Sequence, residues 1–242
     1  MTELPFEPPP MHLHARAVPW RHALAWYEDG LALWRRAPVA WVALTALLVA
    51  VEFSFALLPE PWTLIGVAVT PLVGGGLVYA AAAIDRGARP TPALAFRAFR
   101  ANGRDVLAVV VANALSWLLA ALALWWLTGE PPLGGAHAGA STVAEALAAM
   151  VLSVLATLPF GFVPYHALLE GAGPGAALRA SWQAFVLNPL PLAVFAAAAL
   201  VLLALGMLTF LLGLAFALPA IAAASYLAWK DIFGVGAAPP LR

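Results

Sequence analysis

Hydrophobic positions along this chain come in long blocks rather than in alternation. Apolar runs cover 39–58, 62–84, 106–127 and 143–169, and a forty-residue run covers 190–229. An α-helix rises 1.5 Å per residue, so about 20 apolar residues match the hydrocarbon core of a bilayer. Each shorter run reads as one membrane span. Pro71 is expected to kink the second, and Pro159 and Pro164 to break the fourth. A single helix over 190–229 would reach about 60 Å, twice the hydrocarbon thickness. That run therefore reads as two spans with a tight turn between Gly206 and Gly213. The pattern predicts an all-α membrane fold of six transmembrane helices.

The segments between the runs are amphipathic. Trp20, Leu24, Tyr27, Leu31 and Trp34 recur at helical spacing, with Arg21, Glu28, Asp29, Arg35 and Arg36 largely off that face. Phe96 and Phe99 flank a stripe of Arg97, Arg100 and Arg104, and Leu178, Trp182 and Phe185 align in a third segment. All three read as helices lying in a membrane interface plane. Each is followed by a turn into the membrane, at Ala37-Pro38, Asn102-Gly103 and Asn188-Pro189. The residue before a proline disfavours helical geometry, and the second turn relies on glycine instead.

One unit thus occurs three times: an amphipathic segment, then two apolar spans. The units open with Trp34-x-x-x-Pro38, Phe99-x-x-Asn102-Gly103 and Phe185-x-x-Asn188-Pro189. They close with Tyr79-x5-Asp85, Tyr165-x4-Glu170 and Tyr226-x4-Asp231. A proline precedes each closing pair, at Pro71, Pro159 and Pro219. The repeats run over about 20–87, 91–171 and 174–234. All three enter and leave on one side, so they are expected to be parallel repeats about an axis along the membrane normal. Residues 1–19, with five prolines, and 235–242 read as disordered cytosolic tails.

Composition strengthens the membrane reading. The chain is 64% hydrophobic and 10% charged, where a soluble domain carries about 25% charge. Without cysteine it has no disulfide, thiolate nucleophile or cysteine metal site. Net charge is zero, yet all twelve Lys and Arg avoid the segments near 59–61, 129–142 and 206–213. Cationic side chains resist translocation, so both termini are expected in the cytoplasm. Eleven arginines to one lysine, with abundant Ala and Pro, point to a bacterial inner membrane.

Candidate chemistry is sparse. Glu52 is the one acid inside an expected span. An ionised carboxylate is costly there, so it is expected to be neutral, paired or facing water. Asn113, Ser116, Ser153 and Thr157 are candidate interhelical hydrogen-bonding residues. Glu52 and Asn113 fall at different expected depths, which counts against a shared polar site. Gly74-Gly75-Gly76 suits close helix contact. His12-x-His14 lacks a third metal ligand, and His166 reads as a polar anchor at an interface. Neither a cofactor motif nor a catalytic constellation is present. The arginines Arg97, Arg100 and Arg104 suit anionic lipid headgroups better than nucleic acid.

The segment Leu33-Trp34-Arg35-Arg36-Ala37-Pro38-Val39-Ala40-Trp41, the later Ser181-x-x-x-Phe185-x-x-Asn188-x-x-Pro191 and the closing Tyr226-Leu227-Ala228-Trp229-Lys230-Asp231-Ile232-Phe233-Gly234 resemble a group of uncharacterised bacterial six-span membrane proteins, over about residues 20–234. A looser similarity is to the membrane domains of some glycerophosphodiester phosphodiesterases, whose catalytic domain this chain lacks. The resemblance implies an architecture and no activity. The expected function is non-enzymatic: an integral membrane protein that organises or accompanies other membrane components, with lipid and another membrane protein as partners. A small-solute or lipid transporter is the alternative.

Overall fold

The computed structural model describes residues 12–59, 62–129, 143–209 and 213–235. Their regular structure is all helical, without a strand among the described residues. Helices α1 (His22–Arg35), α2 (Pro38–Ala56) and α3 (Thr63–Asp85) come first. A 3-10 helix (Pro92–Arg100) then precedes α4 (Gly103–Thr128), α5 (Val143–Thr157) and α6 (Val163–Glu170). The chain continues through α7 (Pro174–Leu187), α8 (Pro189–Leu208) and α9 (Leu214–Phe233). Prolines start α2, α7, α8 and the 3-10 helix, where the missing N–H would have had no helical partner.

Four helices are long and apolar enough to cross a membrane: Pro38–Ala56, Leu64–Asp85, Gly103–Thr128 and Pro189–Leu208. The run 143–169 is divided instead into α5 and α6 by a turn at 158–162. Pro159 has no N–H to continue the ladder, and the backbone it disrupts finds a side chain. The Ser181 hydroxyl donates to the Pro159 carbonyl at 2.8 Å and accepts from the Phe162 N–H at 3.2 Å. The run 190–229 is also divided, where the sequence placed its turn. Gly206 and Gly213 meet so closely that a Cβ on Gly213 would lie 2.8 Å from the Gly206 Cα. Residues 60–61 and 130–142, including His137, lie outside the described residues.

The helices pack in a closed ring. Helix α2 pairs with α3, α4 with α5, and α8 with α9. Between these pairs α3 meets α4, α5 meets α8, and α9 meets α2. Two of the short amphipathic segments contact the helix that closes the preceding sequence unit, the 3-10 helix on α3 and α7 on α6, while α1, which opens the first unit, seats on α9, which closes the last. Of the four long apolar helices α3 is the most enclosed, with 61% of its apolar stretch buried against 17% for α2.

Small residues make these contacts. The apolar face of α1 read from sequence meets protein only in part: Tyr27 stacks on Phe195 and Trp34 packs edge-on to Phe216. Trp20 and Leu24 are exposed, while Ala23, Trp26, Gly30 and Leu33 are buried. A Cβ on Gly30 would lie 2.9 Å from the Ala224 backbone nitrogen. In α7 the buried residues are Ala177, Ala180, Ser181 and Ala184, and Trp182 is exposed. Where lipid surrounds the protein, large apolar side chains gain nothing special by turning inward, and small ones let backbones approach.

The middle segment needs a sharper correction. It is a 3-10 helix of three residues per turn, so positions three apart align on three edges. Ala95 and Ala98 form the buried edge against α3, where a Cβ on Gly76 would lie 2.5 Å from the Ala95 Cα. Phe96 and Phe99 form an exposed edge, and Arg97 and Arg100 form the third. Arg104 belongs to α4 beyond the Asn102-Gly103 break, so the expected three-arginine stripe is not on one helix.

The N-terminal segment also departs from expectation. Residues 12–19 have no regular helix but are tied down rather than loose. The Arg16 N–H donates to the Ile232 carbonyl at 2.9 Å. The Asn188 amide brackets the segment, accepting from the Val18 N–H at 2.8 Å and donating to the Arg16 carbonyl at 3.0 Å. Leu13, Ala15 and Val18 pack against the core. Residues 1–11 and 236–242 lie outside the described residues.

Candidate functional site

Two cavities carry the polar side chains of interest. The first lies among α2, α3, α4 and α5, has a volume of about 420 Å³, and is lined by Glu52, Thr70, Asn113, Ser116, Ser153 and Thr157 among apolar residues. Glu52 and Asn113 therefore share a site. Glu52 lies fourteen residues into α2 and Asn113 ten into α4. The offset is one helical turn, about 6 Å, and a cavity of this size spans it. The Asn113 amide donates to the Val67 carbonyl at 2.9 Å. That carbonyl is the one Pro71 leaves without its helical N–H, so Asn113 supplies the donor that the proline removes from α3. Glu52 has no hydrogen-bond or ion-pair partner among the described residues, and the expected bond to a hydroxyl is not made. The Thr70 hydroxyl is buried and likewise unpaired.

The second cavity is at the arginine-bearing end, with a volume of about 1030 Å³. Arg97 and Arg100 line it together with Tyr79, Asn102, Asp105 and Glu170. The Arg97 guanidinium lies over the Tyr79 ring, 4.7 Å from its centroid. Arg104 is not part of this lining; its guanidinium covers Gly173, where an added Cβ would lie 2.7 Å from it. Asp105 is 6% exposed. It sits in the first turn of α4, where the helix dipole favours a negative charge.

At the same end, the three acids that close the sequence units each hold a cluster. Asp85 accepts from Tyr226 at 2.9 Å and from Lys230 at 2.7 Å. Glu170 lies 2.8 Å from His166 Nδ1 and 2.9 Å from His12 Nδ1. Asp231 meets Arg16 Nη2 and His22 Nδ1 at 2.7 Å and accepts from the Trp26 indole at 3.0 Å. Burial alone would raise the Glu170 carboxyl, but hydrogen bonds from His166 and His12 outweigh it and hold it below its ordinary value. Asp231 is likewise lowered, burial being outweighed by bonds from His22, Trp26 and Arg16. His166 is wholly buried, edge-on to Phe233 at 4.4 Å, and its Nε2 has no partner. Glu170 and Asp231 anchor the N-terminal segment through His12 and Arg16, while Asp85 ties α3 to α9.

The structure thus joins Glu52 with Asn113, and Arg97 with Arg100, and separates Arg104 from both. Sequence reasoning missed Asp105, whose signal was an acid beside three arginines, and Thr70, which carried none. No group of three or more His, Asp or Glu is placed to hold a metal among the described residues. Comparison with family models, curated proteins and solved structures gave no match.

Proposed function

We propose that the chain is a six-span integral membrane protein of the bacterial inner membrane, built from three parallel repeats, with both termini cytoplasmic. Its role is non-enzymatic: it binds lipid headgroups at its cytoplasmic face and organises membrane components there. The observation that carries this reading is the paired Arg97 and Arg100 edge beside the exposed Phe96 and Phe99 edge. Two cations in a cavity next to two aromatic rings suit a phosphate at the level where a membrane changes from polar to apolar. The ring of packed helices, with each amphipathic segment against a helix that closes a unit, supports the three repeats. The meeting of Arg16 with Asp231 supports termini on one side.

The test replaces Arg97 and Arg100 with Gln and measures anionic lipid retained by correctly inserted protein. Each cation contributes about 1 kcal/mol near an anionic surface, before salt screening. The double variant should retain clearly less, and unchanged retention would reject the contact. Insertion is checked by an impermeant thiol reagent on intact cells, which should label a cysteine at 135 and spare one at 103. A second reading, a small-solute transporter, is favoured by one observation. Polar groups of α2, α3, α4 and α5 converge on one cavity around the unpaired Glu52, as substrate sites in transporters converge between helices.

A further inference from the structure

The headgroup cavity holds an element that a purely anionic ligand leaves unused. Asp105 forms part of its wall, is more than nine-tenths buried, and has no hydrogen-bond or ion-pair partner among the described residues. Its carboxylate oxygens are open to the cavity rather than sealed in the core, so a donor that enters there can reach them. The other acid on the wall, Glu170, is already engaged by His12 and His166. The two arginines lie one 3-10 turn apart on a single edge, about 6 Å along the axis. Arg97 is further held by stacking on Tyr79. The lining is therefore dipolar, with two guanidinium groups and one free carboxylate.

We propose that this cavity recognises a phospholipid headgroup carrying both a phosphate and a primary ammonium, that is, a phosphatidylethanolamine. The proposal rests on reading Arg97 and Arg100 as phosphate ligands and narrows which lipid they take. The phosphate oxygens accept from the two guanidinium groups. The ammonium, with three N–H donors, satisfies Asp105. A trimethylammonium headgroup has the same charges but no N–H, so it leaves the carboxylate unbonded. A glycerol headgroup has hydroxyl donors but no cation to pair with Asp105. The exposed Phe96 and Phe99 edge, 53% and 44% accessible, fits the lipid rather than a free phosphate ester, because it offers apolar surface beside the cavity mouth.

The full chain in detergent is titrated with short-chain phosphatidylethanolamine, phosphatidylcholine and phosphatidylglycerol, and lipid adducts are counted by native mass spectrometry. Phosphatidylethanolamine should bind about tenfold more tightly than phosphatidylcholine, the scale of one charge-assisted hydrogen bond. Asp105→Asn should remove that difference, and Arg97→Gln should weaken all three lipids. The wild-type comparison needs no variant, so the test stands even if Asp105→Asn fails to fold. Equal binding of ethanolamine and choline lipids, with the glycerol lipid tightest, would overturn this proposal and leave the anionic-headgroup reading intact. Saturable binding of none of the three would overturn both. Free phosphoethanolamine competing as well as the lipid would overturn the lipid assignment.

Discussion

Replacing Asp231 with Ala should free the N-terminal segment, and the size of the effect follows from its three partners. The Trp26 indole is 3% exposed, so loss of the carboxylate it donates to leaves a buried donor unpaired, at about 1–3 kcal/mol. His22, with 23% of its side chain exposed, loses a charge-assisted bond, about 1 kcal/mol at partial burial. Arg16 is 54% exposed, so its bond to the carboxylate adds at most about 1 kcal/mol, and its Nε keeps the backbone carbonyl of residue 231. The expected loss is about 3 kcal/mol, a large share of a typical total of about 5–15. Unfolding in mixed micelles, followed by tryptophan fluorescence, measures it, and trypsin cleavage after Arg16 reports release of the segment. The sign with pH is fixed by the lowered carboxyl. Its contribution is fully present above the ordinary carboxylate range and is lost as pH falls through the folded-state value. The gap between wild type and variant should therefore shrink on acidification below about pH 4. A gap under about 0.5 kcal/mol at neutral pH, the size of an ordinary surface substitution, or one that stays constant into acid, would refute the reasoning.

Three further outcomes are expected. Gly76→Val should destabilise by about 1–3 kcal/mol or more, because the added Cβ alone meets the Ala95 backbone; a melting temperature equal to wild type would contradict this packing. Asn113→Ala should cost about 1–3 kcal/mol by stripping the Val67 carbonyl of its donor, and micelle unfolding reads it directly. Glu52→Gln should change stability by about 1 kcal/mol or less, since the carboxylate has no partner to lose. If ion-dependent flux through reconstituted protein disappears in that variant with melting unchanged, the transporter reading takes the lead.

The long apolar helices were legible because their length is dictated by hydrocarbon thickness and their starts by proline. Even the two breaks were readable, one from Pro159 and Pro164, the other from the mismatch between forty residues and one bilayer. The contact faces were not. Trp20, Leu24 and Trp182 look like core residues by the logic of soluble proteins, yet they point outward, and Ala23, Gly30 and Ala184 do the packing. The first cavity was half legible: Glu52 and Asn113 were noticed, but depth counted residue by residue hid a one-turn overlap. Thr70 gave no signal, because an isolated hydroxyl in an apolar run says nothing of its neighbours. The anchoring of His12 and Arg16 depends on acids 158 and 215 residues away, and no local pattern encodes such a pairing.

The packing of α1 on α9 has a consequence for biosynthesis. Of the helices described, a ribosome makes α1 first and its main helical partner α9 last, so the ring stays open until all the others have been made. Meanwhile the face of Ala23, Trp26, Gly30 and Leu33 has no mate, and the carboxylate that will receive Trp26 does not yet exist. Partial chains inserted in the bilayer thus carry an unsealed seam at one fixed place. Closure of that seam, with the strand-like segment at 12–18 drawn across it, is the event that distinguishes a finished molecule from every shorter intermediate. A protease that inspects nascent membrane proteins would need to recognise nothing more than an accessible peptide bond near Arg16 to tell the two apart.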